Sequence, residues 1–101
     1  MKHKMSILFY VKSSKASKNG LLPIYQRITI NGTRIELSTS KFVEKTKWNT
    51  AAGKIKGNSE EARLINSYLD ILNAKAYETE KWMVNNNQEI NAQTFKNKFL
   101  G

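Results

Sequence analysis

The chain has no cysteine, one proline and one histidine among its 101 residues, and these shortages exclude several classes of protein. Without cysteine, neither a disulfide framework nor a cysteine-based zinc site can form. The longest uninterrupted apolar run, Ile7 to Val11, is far too short for a membrane span or a secretory signal. We therefore expect one soluble domain in the cytoplasm, without contact to a membrane.

Groups that could carry out catalysis are also scarce. The single histidine, His3, lies close to the N-terminus, where we expect a frayed chain and no fixed partner for a general base. There is no glycine-rich loop for phosphates and no group of Asp, Glu and His with the spacing of metal ligands. The sequence therefore predicts a non-catalytic domain with no metal, no cofactor and no small-molecule substrate.

Acidic residues are rare in the first half of the chain. Residues 1–57 carry 12 Lys and Arg against two Glu, a net charge of +10, whereas residues 58–101 have a net charge of −1. Positive charge concentrated on one part of a small domain is typical of proteins that bind polyanions. The alternative is a solvated basic surface that serves solubility alone.

The strongest local pattern is Asn31-Gly32, which separates two alternating runs between Leu22 and Thr39. Asn-Gly favours a two-residue hairpin turn, because both of its central residues need positive φ. The turn predicts three inward-facing pairs, which are Ile30 with Thr33, Ile28 with Ile35, and Gln26 with Leu37. The opposite face is polar and net basic: Tyr25, Arg27, Thr29, Arg34, Glu36 and Ser38. Arg27 and Glu36 are expected opposite each other, where they could simply form an exposed ion pair.

The remaining patterns predict an α+β fold: a three-stranded antiparallel β-meander covered on one face by a long helix, plus a short terminal helix. Strands are expected at 5–12, about 23–31 and about 33–39, and helices at 58–86 and 91–100. An inner face can be read from the alternation: Ile7, Phe9, Val11, Ile24, Ile28, Ile30, Ile35 and Leu37. Its cover is the apolar stripe Ile65, Leu69, Leu72, Ala76 and Met83.

The sequence also predicts where the two helices are capped and how far the long helix extends. Asn58 and Glu61 have the spacing of a capping box for the long helix, and Asn91 is expected to cap the short one. Residues 40–57 are expected to be irregular, with Trp48 packed against the edge of the core. The long helix would extend about 43 Å, so its distal part should either project beyond the sheet or meet another element. We expect residues 1–86 to form the domain and residues 87–101 to begin the connection to a following region.

The polar sheet face has the chemistry of a nucleic-acid reader, because Arg, Thr and Ser donate to bases and phosphates. For groove contacts we predict Tyr25, Arg27, Thr29 and Arg34, and for phosphate contacts Lys12, Lys15, Lys18, Lys41 and Lys47. One alternative is an RNA-binding module that stacks bases on Tyr25 and Tyr10. Another is a protein-interaction domain that uses the distal helix around Tyr77 and Trp82.

The order of these segments resembles the N-terminal arm DNA-binding domain of tyrosine recombinases, the phage-type integrases, particularly those of Bacteroidetes mobile elements. The resemblance is carried by Ile7–Val11, Ile24–Ile28, Phe42-Val43, Trp48-Asn49, Gly53–Gly57, Ala62–Asn66 and Ile90–Asn97. Asn49 stands where the family pattern leads us to expect Asp. The resemblance implies a sheet inserted into the major groove of double-stranded DNA at arm-type sites, in a bacterial cytoplasm.

The resemblance also implies what the chain does not carry. Such recombinases hold their catalytic residues in a C-terminal domain, and none of these residues carries over to this sequence. His3 lacks the expected His-x-x-Arg context, because Ser6 occupies the place of the arginine. Other recombinase protomers are expected as partners through domains outside this sequence.

Overall fold

The computed structural model describes residues 3–101. Met1 and Lys2, which is one of the 12 basic residues counted in residues 1–57, lie outside the described residues. It contains five strands and two α-helices: β1 (Met5–Val11), β2 (Leu22–Ile30), β3 (Thr33–Val43), β4 (Trp48–Asn49), β5 (Lys54–Ile55), α1 (Glu60–Asn85) and α2 (Ala92–Leu100). The first three strands form an antiparallel sheet in the order β1-β2-β3, and β4 pairs with β5. The predicted α+β architecture is confirmed.

The turn between β2 and β3 has the predicted conformation, with φ of 51° at Asn31 and 85° at Gly32. The three predicted cross-strand pairs, which begin with Ile30 and Thr33, are all present in the register. Asn31 also fastens the start of β1, because its side chain accepts a hydrogen bond from the Lys4 N–H at 2.9 Å. Local turn chemistry therefore fixes which side of each strand faces the core.

Strand β3 continues to Val43, so the prediction that it ends near residue 39 was wrong. The register passes from Tyr25 opposite Ser38 to Pro23 opposite Phe42, which leaves extra residues on β3 as a bulge. Ser40 lies in this bulge with a φ of 63°. The Thr39 hydroxyl donates to the Ile24 carbonyl at 2.7 Å and holds the bulge against β2.

The core lies between the sheet and α1 in two clusters. One joins the start of α1 to the β4–β5 hairpin and contains Phe9, Ile24, Val43, Trp48, Ile55, Ala62 and Leu69. The other contains Ile28, Ile30, Ile35, Ala76, Met83, Phe95 and Phe99. The predicted core role of Trp48 is confirmed, since its residue exposure is 6%. Burying one such large apolar side chain contributes about 1.5–3 kcal/mol relative to an exposed position.

Residues 44–57, predicted to be irregular, include the small β4–β5 hairpin. The Asn49 side chain accepts a hydrogen bond from the Ala52 N–H at 3.0 Å, so Asn here performs the turn function that we expected of Asp. Asn66 of α1 pairs with both backbone groups of Ile55, at 2.9 and 3.1 Å. The hairpin is thereby fixed to the helix through polar as well as apolar contacts.

The N-cap of helix α1 lies one residue later than predicted. Ser59 is the N-cap, and its hydroxyl accepts from the Ala62 N–H at 3.1 Å, so the assignment of Asn58 and Glu61 as a capping box was wrong. The predicted buried stripe is present, although Ala62 belongs to it as well. His3 also has a fixed partner, contrary to expectation: its Nε2 lies 2.5 Å from a carboxylate oxygen of Glu80.

Helix α2 covers the distal half of α1. It begins as predicted after Asn91, which forms a capping box with Thr94. Phe95 and Phe99 are 0% and 5% exposed, and their stacked rings lie 5.4 Å apart between centroids. These rings pack against Ala76 and Met83, so the distal part of α1 meets another element, which is one of the two arrangements that we expected. The division of the chain at residue 86 stays a prediction.

Candidate nucleic-acid interface

The outer face of the sheet, on the side away from α1, carries the predicted groove residues. The strand register arranges its side chains in rows that cross β1, β2 and β3. From the β2–β3 turn these rows are Ser6, Thr29 and Arg34; then Leu8, Arg27 and Glu36; then Tyr10, Tyr25 and Ser38. Lys12 and Phe42 lie beyond the last row, on either side of Pro23.

Glu36 lies on the edge strand β3, in the middle row of this face. It accepts hydrogen bonds from three side chains, which together with it form the Glu36 cluster. Arg27 donates from Nε and Nη2 at 3.1 and 2.9 Å, and Lys12 donates from Nζ at 3.3 Å. The Tyr10 hydroxyl donates to the same carboxylate. The hydrogen bond from Tyr10, followed by that from Arg27, lowers the pKa of Glu36 to about 2. The predicted Arg27–Glu36 pair is thus present, but as part of a larger group.

The two tyrosine rings of the outer face are already covered by cations. The Arg27 guanidinium lies 4.4 Å from the Tyr10 ring centroid, and the Lys12 ammonium lies 4.1 Å from that of Tyr25. Lys15 approaches the Tyr25 ring at 5.6 Å, which brings the loop between β1 and β2 to the sheet. Burial and the Glu36 carboxylate raise the pKa of Tyr10, so its hydroxyl remains a donor. These rings offer little free surface for stacked bases.

Arg34 is the arginine of this face that keeps its donors free. It lies opposite Thr29 near the β2–β3 turn, is exposed, and forms no salt bridge within residues 3–101. Arg27, by contrast, uses two of its nitrogens on Glu36. The unoccupied guanidinium therefore lies at the end of the face that carries Ser6 and Thr29.

The other predicted phosphate contacts are spread more widely. Lys18 is exposed in the turn that joins β1 to β2. The Lys41 ammonium lies 5.1 Å from the Tyr68 ring of α1, so this residue belongs to the helix side of the sheet. Lys47 is exposed before β4 and lies 3.7 Å from Glu44. The structure brings together Lys12, Lys15, Tyr25, Arg27, Thr29 and Arg34, but not Lys41.

Two apolar residues of the outer face were not among the predicted contact residues. Leu8 is 46% exposed and lies opposite Arg27, and Phe42 is 42% exposed at the far end of the face. The signal for Leu8 was its alternation phase with Ser6 and Tyr10. Phe42 could not be placed, because the strand was expected to end before it.

The groups on the outer face are suited to recognition through charge and hydrogen bonds. The part of the chain that the structure describes holds no group of His, Asp and Glu that could ligate a metal ion. Among residues 3–101, neither helix has the length and apolarity needed to cross a bilayer. Within the part of the chain that the structure describes, the outer face offers cations, hydroxyls and the Arg34 guanidinium, which no salt bridge occupies.

Comparison with known proteins gives one match. The sequence model of a family described as an arm DNA-binding domain matches residues 9–96. This span includes β2 to β5, all of α1 and the first half of α2. It lacks only the first residues of β1 and the end of α2. No curated protein and no solved structure matches the chain significantly.

Proposed function

The chain belongs to the arm DNA-binding domain family, and from that premise we propose that it binds arm-type sites through the outer face of its sheet. The DNA is double-stranded, and the face enters the major groove. The parent protein is a site-specific tyrosine recombinase of a bacterium, whose other protomers assemble through other domains. The observation that carries the proposal is the free Arg34 guanidinium beside Thr29 on a cation-rich sheet face.

The dimensions of the sheet support this geometry. Neighbouring strands lie about 4.8 Å apart, so three strands span about 10 Å between the axes of β1 and β3. The major groove of B-DNA is about 12 Å wide. A sheet of this width can therefore lie in the groove with its outer face toward the base edges, as β-ribbon proteins do.

The Glu36 cluster divides the two arginines of the face between different roles. Arg34 has its fork of donors available for a bidentate contact to guanine O6 and N7. Arg27 is held by Glu36 and by the Tyr10 ring, so it supports the surface and contributes charge. Leu8 offers an exposed apolar group of the kind that contacts a thymine methyl.

Phosphate contacts fall at the opposite end of the face. Lys15 lies near the Tyr25 ring and Lys18 follows in the same loop, whereas Lys12 is held by Glu36. Lysine suits this role because its ammonium is a mobile point charge. Base reading near the β2–β3 turn and backbone contacts near the β1–β2 loop would fix the register of the protein on the duplex.

The test compares Arg34→Ala with Arg27→Ala. Duplexes that the unaltered domain selects from a random pool supply the specific probe, and shuffled duplexes of the same length supply the reference. Arg34→Ala should cost about 1–3 kcal/mol on the selected duplex and much less on the shuffled one. Arg27→Ala should weaken both duplexes alike. Equal losses on both duplexes for Arg34→Ala would show that it does not read bases.

RNA is the competing ligand to be measured in the same assay. The deep, narrow major groove of A-form RNA cannot admit a sheet, so duplex RNA of the same sequence should compete poorly. Stronger competition by RNA would overturn the proposal. Substituting the exposed rings Tyr77 and Trp82 by Ala should leave DNA affinity unchanged, since both lie on α1 away from the outer face.

A further inference from the structure

A shallow polar groove runs along the free edge of β3, between that strand and α2. Its volume is about 250 Å³, and its walls include Arg34 and Glu36 from β3 and Gln93 and Lys96 from α2. β3 is the last strand of the sheet order, so no further strand covers this edge. The groove therefore connects the outer face to a helix that lies in the acidic half of the sequence.

The groove has a positive charge of its own. Arg34 and Lys96 line it from opposite elements, and the salt bridges within residues 3–101 include neither of them. Glu36 is the one carboxylate in its lining. That carboxylate already accepts from Tyr10, Arg27 and Lys12, so it does not neutralise the two free cations.

The position of the groove matches that of a DNA backbone. A sheet about 10 Å across fills most of a major groove about 12 Å wide. The sugar-phosphate strands that border the major groove must then pass just outside the edges of the sheet. Outside β3, the element that meets such a strand is α2, with Lys96 on the wall of the groove.

We propose that Lys96 binds a backbone phosphate beside the bases that Arg34 reads, so that α2 forms part of the DNA interface. This inference rests on the proposed function, because it takes the outer face to lie in the major groove. It extends the interface beyond the basic residues 1–57. The DNA strand passes over the groove, with Arg34 on the side of the bases and Lys96 on the side of the phosphates.

Lys98 provides a matched control on the same helix. It is exposed, carries the same charge, and lies 3.8 Å from the Trp82 ring on the other side of α2. Binding of Lys96→Ala and Lys98→Ala to a selected duplex is measured as a function of salt. The slope of the logarithm of the binding constant against the logarithm of the salt concentration should be less steep by about 0.9 in Lys96→Ala than in the unaltered protein. Lys98→Ala should keep the original slope. Lys96→Arg should restore it.

The other possible outcomes separate a failure of this inference from a failure of the proposed function. An unchanged slope in Lys96→Ala, or equal reductions in both variants, would overturn the role of α2. The variants Arg34→Ala and Lys15→Ala are run in parallel to test the proposed function itself. If they alter binding while Lys96→Ala does not, the inference alone fails; if neither alters binding, the outer face is not the interface. Thermal unfolding of every variant shows whether its fold is intact.

Discussion

Replacing Glu36 by Gln is the sharpest single perturbation of the outer face. The substitution keeps the size of the side chain and removes the charge that holds Arg27 and Lys12. If the outer face binds DNA, these two cations become available to phosphates. We therefore expect Glu36→Gln to bind shuffled DNA more tightly than the unaltered protein at low salt.

The magnitude follows from the number of cations released. Each additional phosphate contact steepens the salt slope by about 0.9, so the two cations of the Glu36 cluster should steepen it by up to about 1.8. Between 50 and 200 mM salt, this change amounts to about a tenfold greater loss of affinity than in the unaltered protein. Affinity for the selected and the shuffled duplex should rise by the same factor, because the gain is independent of sequence.

Fluorescence anisotropy with labelled duplexes at four or more salt concentrations gives the slopes directly. Glu78→Gln is the control, because Glu78 is an exposed carboxylate on α1 and its loss changes the net charge equally. The control should leave the slope close to its original value. If Glu36→Gln behaves like Glu78→Gln, Arg27 and Lys12 do not face DNA, and the assignment of the outer face is refuted.

Three further outcomes are expected. Replacing thymine by uracil in the selected duplex should weaken binding about fourfold at the contacted methyl, by the free energy of one buried methyl group. Leu8→Ala should abolish this difference, whereas Leu64→Ala, at an exposed position on α1, should retain it. Since the pKa of Glu36 falls from 4.5 to about 2 on folding, its contribution to stability is complete above pH 4.5 and is lost as the pH falls toward 2. Thermal unfolding of Glu36→Gln should therefore depend less on pH in that window. Phe95→Ala should lower the free energy of unfolding in urea by about 3–5 kcal/mol, because the ring is fully buried. Phe42→Ala, at an exposed position, should change it by less than about 0.5 kcal/mol.

The sheet could be predicted from the sequence because its information is local. Asn31-Gly32 sets the turn, and alternation on each side of the turn then assigns Ile28 and Ile35 to the core. The end of β3 could not be predicted in this way. Its bulge at Ser40 depends on a hydrogen bond from Thr39 to Ile24, a residue that is distant in the sequence.

The packing of α2 against α1 also could not be predicted from local sequence patterns. The spacing of Phe95 and Phe99 indicates one apolar helix face, but it does not say which surface that face covers. The structure shows that it covers Ala76 and Met83 of α1. For the same reason, local patterns do not predict that Lys96 and Arg34 line one groove, because the net charge of a segment does not show which cations meet across the fold.

The contacts of Arg27 and Arg34 could be predicted only in part from the sequence. Pairing across β2 and β3 placed Glu36 opposite Arg27, which left open whether that pair occupied the arginine fully. The answer comes from β1, whose register brings the Tyr10 ring under the guanidinium and its hydroxyl onto the same carboxylate. An arginine held by two hydrogen bonds to one carboxylate and by one aromatic ring is costly to reorient toward a base, since each of those contacts would have to be broken. Among residues 3–101 Arg34 has no such contacts to lose, and this difference is why we propose Arg34 as the base-reading residue of the complex.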